Sequence, residues 1–114
     1  FKGKIYLVYG NIELYDKKEI EKYKNITYLG RTGKITLDSK KIGVCHEPYL
    51  VNKLLDDNNC DIIFYGHTHK PWISERSGAK LVNVGTLGGV FQKATFAVWD
   101  TEQDEPELKI LENL

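Results

Sequence analysis

The stretch Asp61-Ile62-Ile63-Phe64-Tyr65-Gly66-His67-Thr68-His69 decides the fold. Ile62 to Tyr65 are continuously apolar and rich in β-branched and aromatic types, and a glycine follows at once. So short a run closed by Gly reads as a strand buried on both faces, not as a helix. Gly66 lets the backbone turn sharply, and two imidazoles follow it at i and i+2. A neutral imidazole offers one nitrogen lone pair to a cation while its other nitrogen is held by an outer acceptor. Two of the chain's three histidines thus stand at the end of a rigid strand, where a metal site would want them. The alternative is a turn that happens to carry two exposed histidines.

Working outward, the 114 residues bound one domain or less. Sixteen basic and sixteen acidic residues cancel, so no whole-chain field points to nucleic acid or to an anionic membrane. No stretch approaches the roughly 20 apolar residues of a membrane span, and the first residues carry no signal-peptide pattern. A soluble, cytoplasmic domain is expected. Cys45 and Cys60 are too few for a disulfide framework, and each sits in or beside an apolar run. Both read as small buried hydrophobes in a reduced compartment. The alternative, a structural zinc site shared with the histidines, lacks a C-x-x-C knuckle and any common finger spacing. The chain begins at Phe1 and contains no Met, so polypeptide preceding Phe1 is expected.

In chain order, Lys4 to Tyr9 reads as a strand closed by Gly10-Asn11. Asp16 with Glu19 is close to a capping box, and Ile20 and Tyr23 mark the apolar side of a short helix. Ile26–Leu29 and Lys34–Leu37 are strand-like runs around Arg31-Thr32-Gly33, a hairpin or a bend. Lys41–Cys45 is another strand, followed at once by His46. Pro48 suits a first helical turn, with Leu50, Val51, Leu54 and Leu55 on one buried face. Past His69, Pro71–Ser74 reads as an edge strand, because Pro cannot donate to a ladder. Lys80–Val84, Ala94–Trp99 and Glu107–Leu111 are further strands, the last with Leu108 and Ile110 on one face. An α/β layer merging into a mostly antiparallel sheet accounts for this order.

Three of these apolar strands end in candidate ligands. Tyr9 leads to Gly10-Asn11, Cys45 to His46, and Tyr65 to Gly66-His67. If the strands run parallel in one sheet, groups just past their ends converge on the crevice where α/β sheets place ligands. Asn11, His46, His67 and His69 would then meet in space.

These residues carry a resemblance. Gly10-Asn11, a His after a strand, and Gly66-His67-Thr68-His69 resemble the C-terminal half of the calcineurin-like metallophosphoesterases, most closely the small single-domain bacterial and archaeal phosphodiesterases. Lys80 to Thr86 and Ala94 to Asp100 look like that group's sequence after its final histidines, so the likeness covers nearly the whole chain. It implies an α/β fold, a two-sheet αββα sandwich, with residues 1–114 as the C-terminal portion of a single domain. It also implies a two-metal site, with Asn11, His46 and His67 on one ion, His69 on the other, and Asn11 and His67 in the catalytic role. Paired ions roughly 4 Å apart polarise phosphoryl oxygens and lower the pKa of the attacking water. Imidazole and amide ligands suit Mn, Fe, Ni or Zn better than Ca.

The chain also departs from the family. The D-x-H and G-D elements are absent and would lie upstream of Phe1. Ile12 stands where many members have a His that assists the leaving group. Glu47 replaces a common Gly after His46, and Pro48 a frequent second His. Two functions follow from the likeness. One is a metal-dependent phosphodiesterase acting on a phosphoester, incomplete as this chain alone. The other is a non-catalytic scaffold on the same fold, as in the retromer coat, docking a protein partner or a second copy through exposed apolar residues such as Trp72, Trp99 or Phe91.

Overall fold

The computed structural model describes residues 3–8, 22–57, 60–66, 68, 71–87 and 93–113. Its central element is a five-stranded sheet in the order β3-β4-β5-β7-β6. Here β3 is Thr32–Leu37, β4 Lys40–Cys45, β5 Ile62–Tyr65, β6 Trp72–Arg76 and β7 Ala79–Asn83. The three inner strands run parallel, and each edge strand returns antiparallel through a hairpin. As its apolar run predicts, β5 lies between β4 and β7, with Ile62 and Ile63 essentially without exposed surface. The edge position of β6, next to Pro71, also agrees with the sequence.

Alternation along the strands divides the sheet into two apolar faces. On one face Cys45, Cys60, Ile63 and Leu81 meet Val51 and Leu54 of helix α1, Leu50–Asp57. Val51 and Leu54 are each only 2% exposed, as the helical spacing requires. On the other face Ile42, Ile62 and Val82 are packed by Phe64, Ala97, Trp99 and Leu108. Ala97 belongs to β8, Thr95–Val98, which pairs antiparallel with β9, Glu107–Ile110. Phe64 and Trp99 meet in a tilted ring pair with centroids 6.2 Å apart. A two-stranded parallel sheet, β1 (Ile5–Val8) with β2 (Ile26–Gly30), is the remaining strand pair.

The topology corrects two expectations. First, β1 does not join β4 and β5 in one sheet; its ladder is with β2. Second, Tyr23 is not on the buried side of a helix. It is 59% exposed and precedes a turn in which the Ile26 amide donates to its carbonyl. The rest of that expected helix, with Asp16, Glu19 and Ile20, lies outside the described residues. In the Arg31-Thr32-Gly33 stretch, Arg31 is a bend between sheets and Thr32-Gly33 open β3, since β2 and β3 pair with different partners. Gly33 is required there because a Cβ would run into the Leu29 side chain.

Candidate functional site

Parallel pairing sets the C-terminal ends of β4, β5 and β7 along one edge, and His46 follows β4 directly. The Gly66 amide donates to the His46 carbonyl at 3.0 Å, joining the turn after β4 to the turn after β5. A Cβ built on Gly66 would lie 3.7 Å from His46 Nδ1, so the imidazole packs against the end of β5. Of the four residues expected to meet at the strand ends, the described one is His46, and it lies against Gly66. Asn11, Ile12, His67 and His69 lie outside the described residues.

Beside His46 opens a hollow of about 510 Å³, mostly apolar, floored by Val44, Phe64 and Val84 and walled by Phe96 and Ala97. Val8 of β1 also reaches it, so β1 comes to this edge without sharing the sheet. A larger hollow of about 730 Å³ lies at the opposite, N-terminal ends of the strands, among Lys40, Asp61, Lys80, Asp104 and Glu105. There Lys80 is paired with Glu105 at 3.1 Å and lies 3.8 Å from Glu75. That hollow lies at the far end of the strands from His46, so the smaller hollow at the C-terminal strand ends is the candidate site.

Two polar groups at this edge have partners that the sequence did not show. Asn83, the last residue of β7, is 2% exposed yet fully partnered. Its Nδ2 donates to Thr68 Oγ1 at 2.6 Å, and its Oδ1 accepts from the Gly85 amide at 3.0 Å. It therefore anchors the residue between His67 and His69. The available signal was a buried-strand position occupied by Asn, which the apolar run Leu81-Val82 disguised. The second is Glu47, 8% exposed, whose Oε1 accepts from Arg31 Nη2 at 2.5 Å. The same nitrogen donates to the Tyr49 hydroxyl at 2.6 Å. A hydrogen bond with Tyr49 does most to hold the Glu47 carboxyl below its usual range, and Arg31 adds to it against the opposing effect of burial.

The cysteines are buried and unpaired, as expected. Burial, with the Glu47 charge adding to it, pushes the Cys45 thiol up to about 11. Cys45 Sγ donates to the Glu47 carbonyl and Cys60 Sγ to the Leu54 carbonyl, so both thiols point into the core. Among the described residues no group of three His, Cys, Asp or Glu side chains surrounds a common point. His46 is the described residue whose donor chemistry and strand-end place fit a first-row metal ion. No helix among the described residues is long and apolar enough to cross a membrane.

Comparison with known proteins identifies the family and the fold. The model of the calcineurin-like phosphoesterase superfamily domain matches residues 1–104. An archaeal phosphodiesterase superposes with a TM-score of 0.79 at 19% identity, over 96% of this chain and 70% of its own. A single-mutant Vps29 from Entamoeba histolytica gives a TM-score of 0.57 at 16% identity, over 95% of this chain and 82% of its own. Wild-type Vps29 from the same organism, solved with zinc, gives 0.52 at 17% identity, over 76% and 64%. Among curated proteins, none matches the chain by sequence. The chain belongs to the calcineurin-like phosphoesterase superfamily and has its mixed α/β fold.

Proposed function

We propose that this chain carries part of the active centre of a metal-dependent phosphodiesterase. The observation behind it is the contact of His46 with Gly66, which puts the imidazole against the residue before His67 at the C-terminal edge of parallel strands. In this reading Asn11, His46 and His67 hold one divalent ion, His69 reaches a second, and Asn11 and His67 face the phosphoryl group. Ions of the Mn, Ni, Fe or Zn class bound there would polarise the phosphoryl oxygens and lower the pKa of a water. The chain's own residues fix the ligands: Asn83 holds Thr68 between two of them, and Gly66 holds the His46 turn. The apolar hollow lies open beside His46 and suits an apolar or aromatic ester group.

Residues 1–114 are in this reading the C-terminal portion of a single domain. The D-x-H and G-D elements belong to polypeptide outside them, which supplies the remaining ligands of the centre. Coverage of 70% of the archaeal phosphodiesterase supports this. Two separate buried thiols agree with a reduced, cytoplasmic setting. The test is hydrolysis of a bis-aryl phosphate with Mn or Ni. The 114 residues alone should stay near background. A chain that includes both elements should be active, lose that activity to a chelator, and lose it on His46→Ala. Persisting hydrolysis in His46→Ala would end the proposal.

The scaffold reading rests on one observation of its own. Trp72 is 66% exposed on edge strand β6, and burying such a ring is a common use of an interface. Trp99 does not support it, being packed on Phe64 with its Nε1 donating to the Gln103 carbonyl, and Phe91 lies outside the described residues. A full-length protein that binds two ions, hydrolyses no phosphoester and loses a partner on Trp72→Ala would favour the scaffold.

A further inference from the structure

Glu47 is a buried carboxylate one residue beyond His46, where the family commonly has a glycine. Burying a carboxylate is costly unless a cation and further hydrogen bonds compensate it. Both compensations are present. The Arg31 guanidinium bonds Glu47 and Tyr49 through one nitrogen, and Tyr49 itself bonds the carboxylate. Arg31 sits in the bend between β2 and β3, so the pair ties the crossing between two sheets to the turn after β4.

The backbone of that turn is pinned as well. The Glu47 carbonyl accepts from the Leu50 amide at 3.1 Å, where α1 begins, and from Cys45 Sγ at 3.5 Å. The His46 carbonyl accepts from Gly66. His46 is thus held from the β5 side through its own carbonyl, and from the β2–β3 bend through the next residue's side chain. We propose that Arg31, acting through Glu47 and Tyr49, is a positioning residue that holds the His46 turn in one geometry for ion coordination. An ion pair adds little stability over an apolar replacement but imposes one arrangement, which is what a ligand on a turn needs.

The inference rests on the metal reading of His46, and two measurements separate their failures. The first uses the ion-free 114-residue chain and follows the His46 ring Cε1–H signal by NMR. One sharp signal is expected in the native chain, and a partly broadened one in Tyr49→Phe, which loses the hydroxyl that Arg31 bonds. A broadened or doubled signal is expected in Arg31→Ala and Glu47→Gln, with partial recovery in Arg31→Lys. The second titrates Mn²⁺ alone and reads paramagnetic broadening. Arg31→Ala should weaken binding about 10-fold, the scale of an outer-sphere partner, and His46→Ala should abolish it. If His46→Ala binds Mn²⁺ like the native chain, the metal reading falls, and the ring signal still decides whether Arg31 orders the turn. An unchanged ring signal in Arg31→Ala, with the amides of β5 and β7 unshifted, overturns the positioning role.

Discussion

At the scale of single residues, the polar groups with least exposed surface mark the edge where chemistry is expected. Removing the Asn83 side chain takes away the partner of Thr68 Oγ1 and of the Gly85 amide, both within reach of water. Asn83→Ala should therefore cost about 0.5–1.5 kcal/mol, the net worth of a hydrogen bond, measured by urea unfolding. Gly85 nearby has φ +80°, and a Cβ there would overlap the Thr95 hydroxyl, itself donating to the Val84 carbonyl. Gly85→Ala combines left-handed strain with a clash, and should be the more damaging change. The thiols give a test by pH. The Cys45 pKa is raised from 9.0 to about 11, so its protonated form is the one the fold prefers. Its stabilising contribution is whole below the unfolded thiol's pKa and is lost as the pH rises through about 11. Stability should fall through that window, less so in Cys45→Ala, and at pH 8 neither cysteine should react with iodoacetamide before the chain unfolds. Of these roles, the burial of the two thiols was legible and the others were not. The sequence showed where the histidines and cysteines stand, but Asn83 hid inside an apolar run and Glu47 counted only as a departure from a family pattern.

Among the elements, period and punctuation carried most of the reading. Continuous apolarity marked β5 as central, Pro71 marked β6 as an edge, and the Val51–Leu54 spacing marked the buried face of α1. Pairing partners were harder to see, because a strand's own residues say little about which edge it joins. Gly33 drew attention to the bend after β2, whereas the hairpin closes at Asp38-Ser39, between β3 and β4. Asp38 and Ser39 have φ of 49° and 66°, the pattern of a type I′ turn, yet neither is the glycine that usually signals one. The other hairpin, at Ser77-Gly78 with φ of 55° and 81°, has Gly at its second position. Ser39→Gly should bring the first turn into line with the second. A gain of up to about 1 kcal/mol is expected from relief of the left-handed conformation. Asp38 should be left alone, because its carboxylate accepts from Thr101 Oγ1 at 2.6 Å and ties the hairpin to the β8–β9 connection. A loss of stability in Ser39→Gly would show that the serine has a role beyond closing the turn.

At the scale of the whole molecule, the layers differ in how completely they are buried. The five-stranded sheet is covered by α1 on one face and by β8 and β9 on the other, and Ile63 and Val82 have no exposed surface. The strand β1 is as apolar as β5, Ile-Tyr-Leu-Val against Ile-Ile-Phe-Tyr, yet each of its four residues is only partly buried. In β8, Val98 is 49% exposed. Burial stabilises by roughly 25 cal/mol per Å² of apolar surface removed from water. The two small sheets therefore contribute less per residue than the large one. Opening them should cost less than global unfolding, because most of the buried apolar surface stays in place. Native-state hydrogen exchange should accordingly give two tiers. Amides of β5 and β7 should exchange only through global unfolding, with a urea dependence equal to the equilibrium slope, and those of β1 and β2 through a smaller opening. Leu54→Ala, at a side chain 2% exposed in the major core, should lower the slow tier by about 2–5 kcal/mol and leave the fast tier nearly unmoved. Amides of β1 exchanging as slowly as those of β5 would mean that the small sheet is bound into the same cooperative unit.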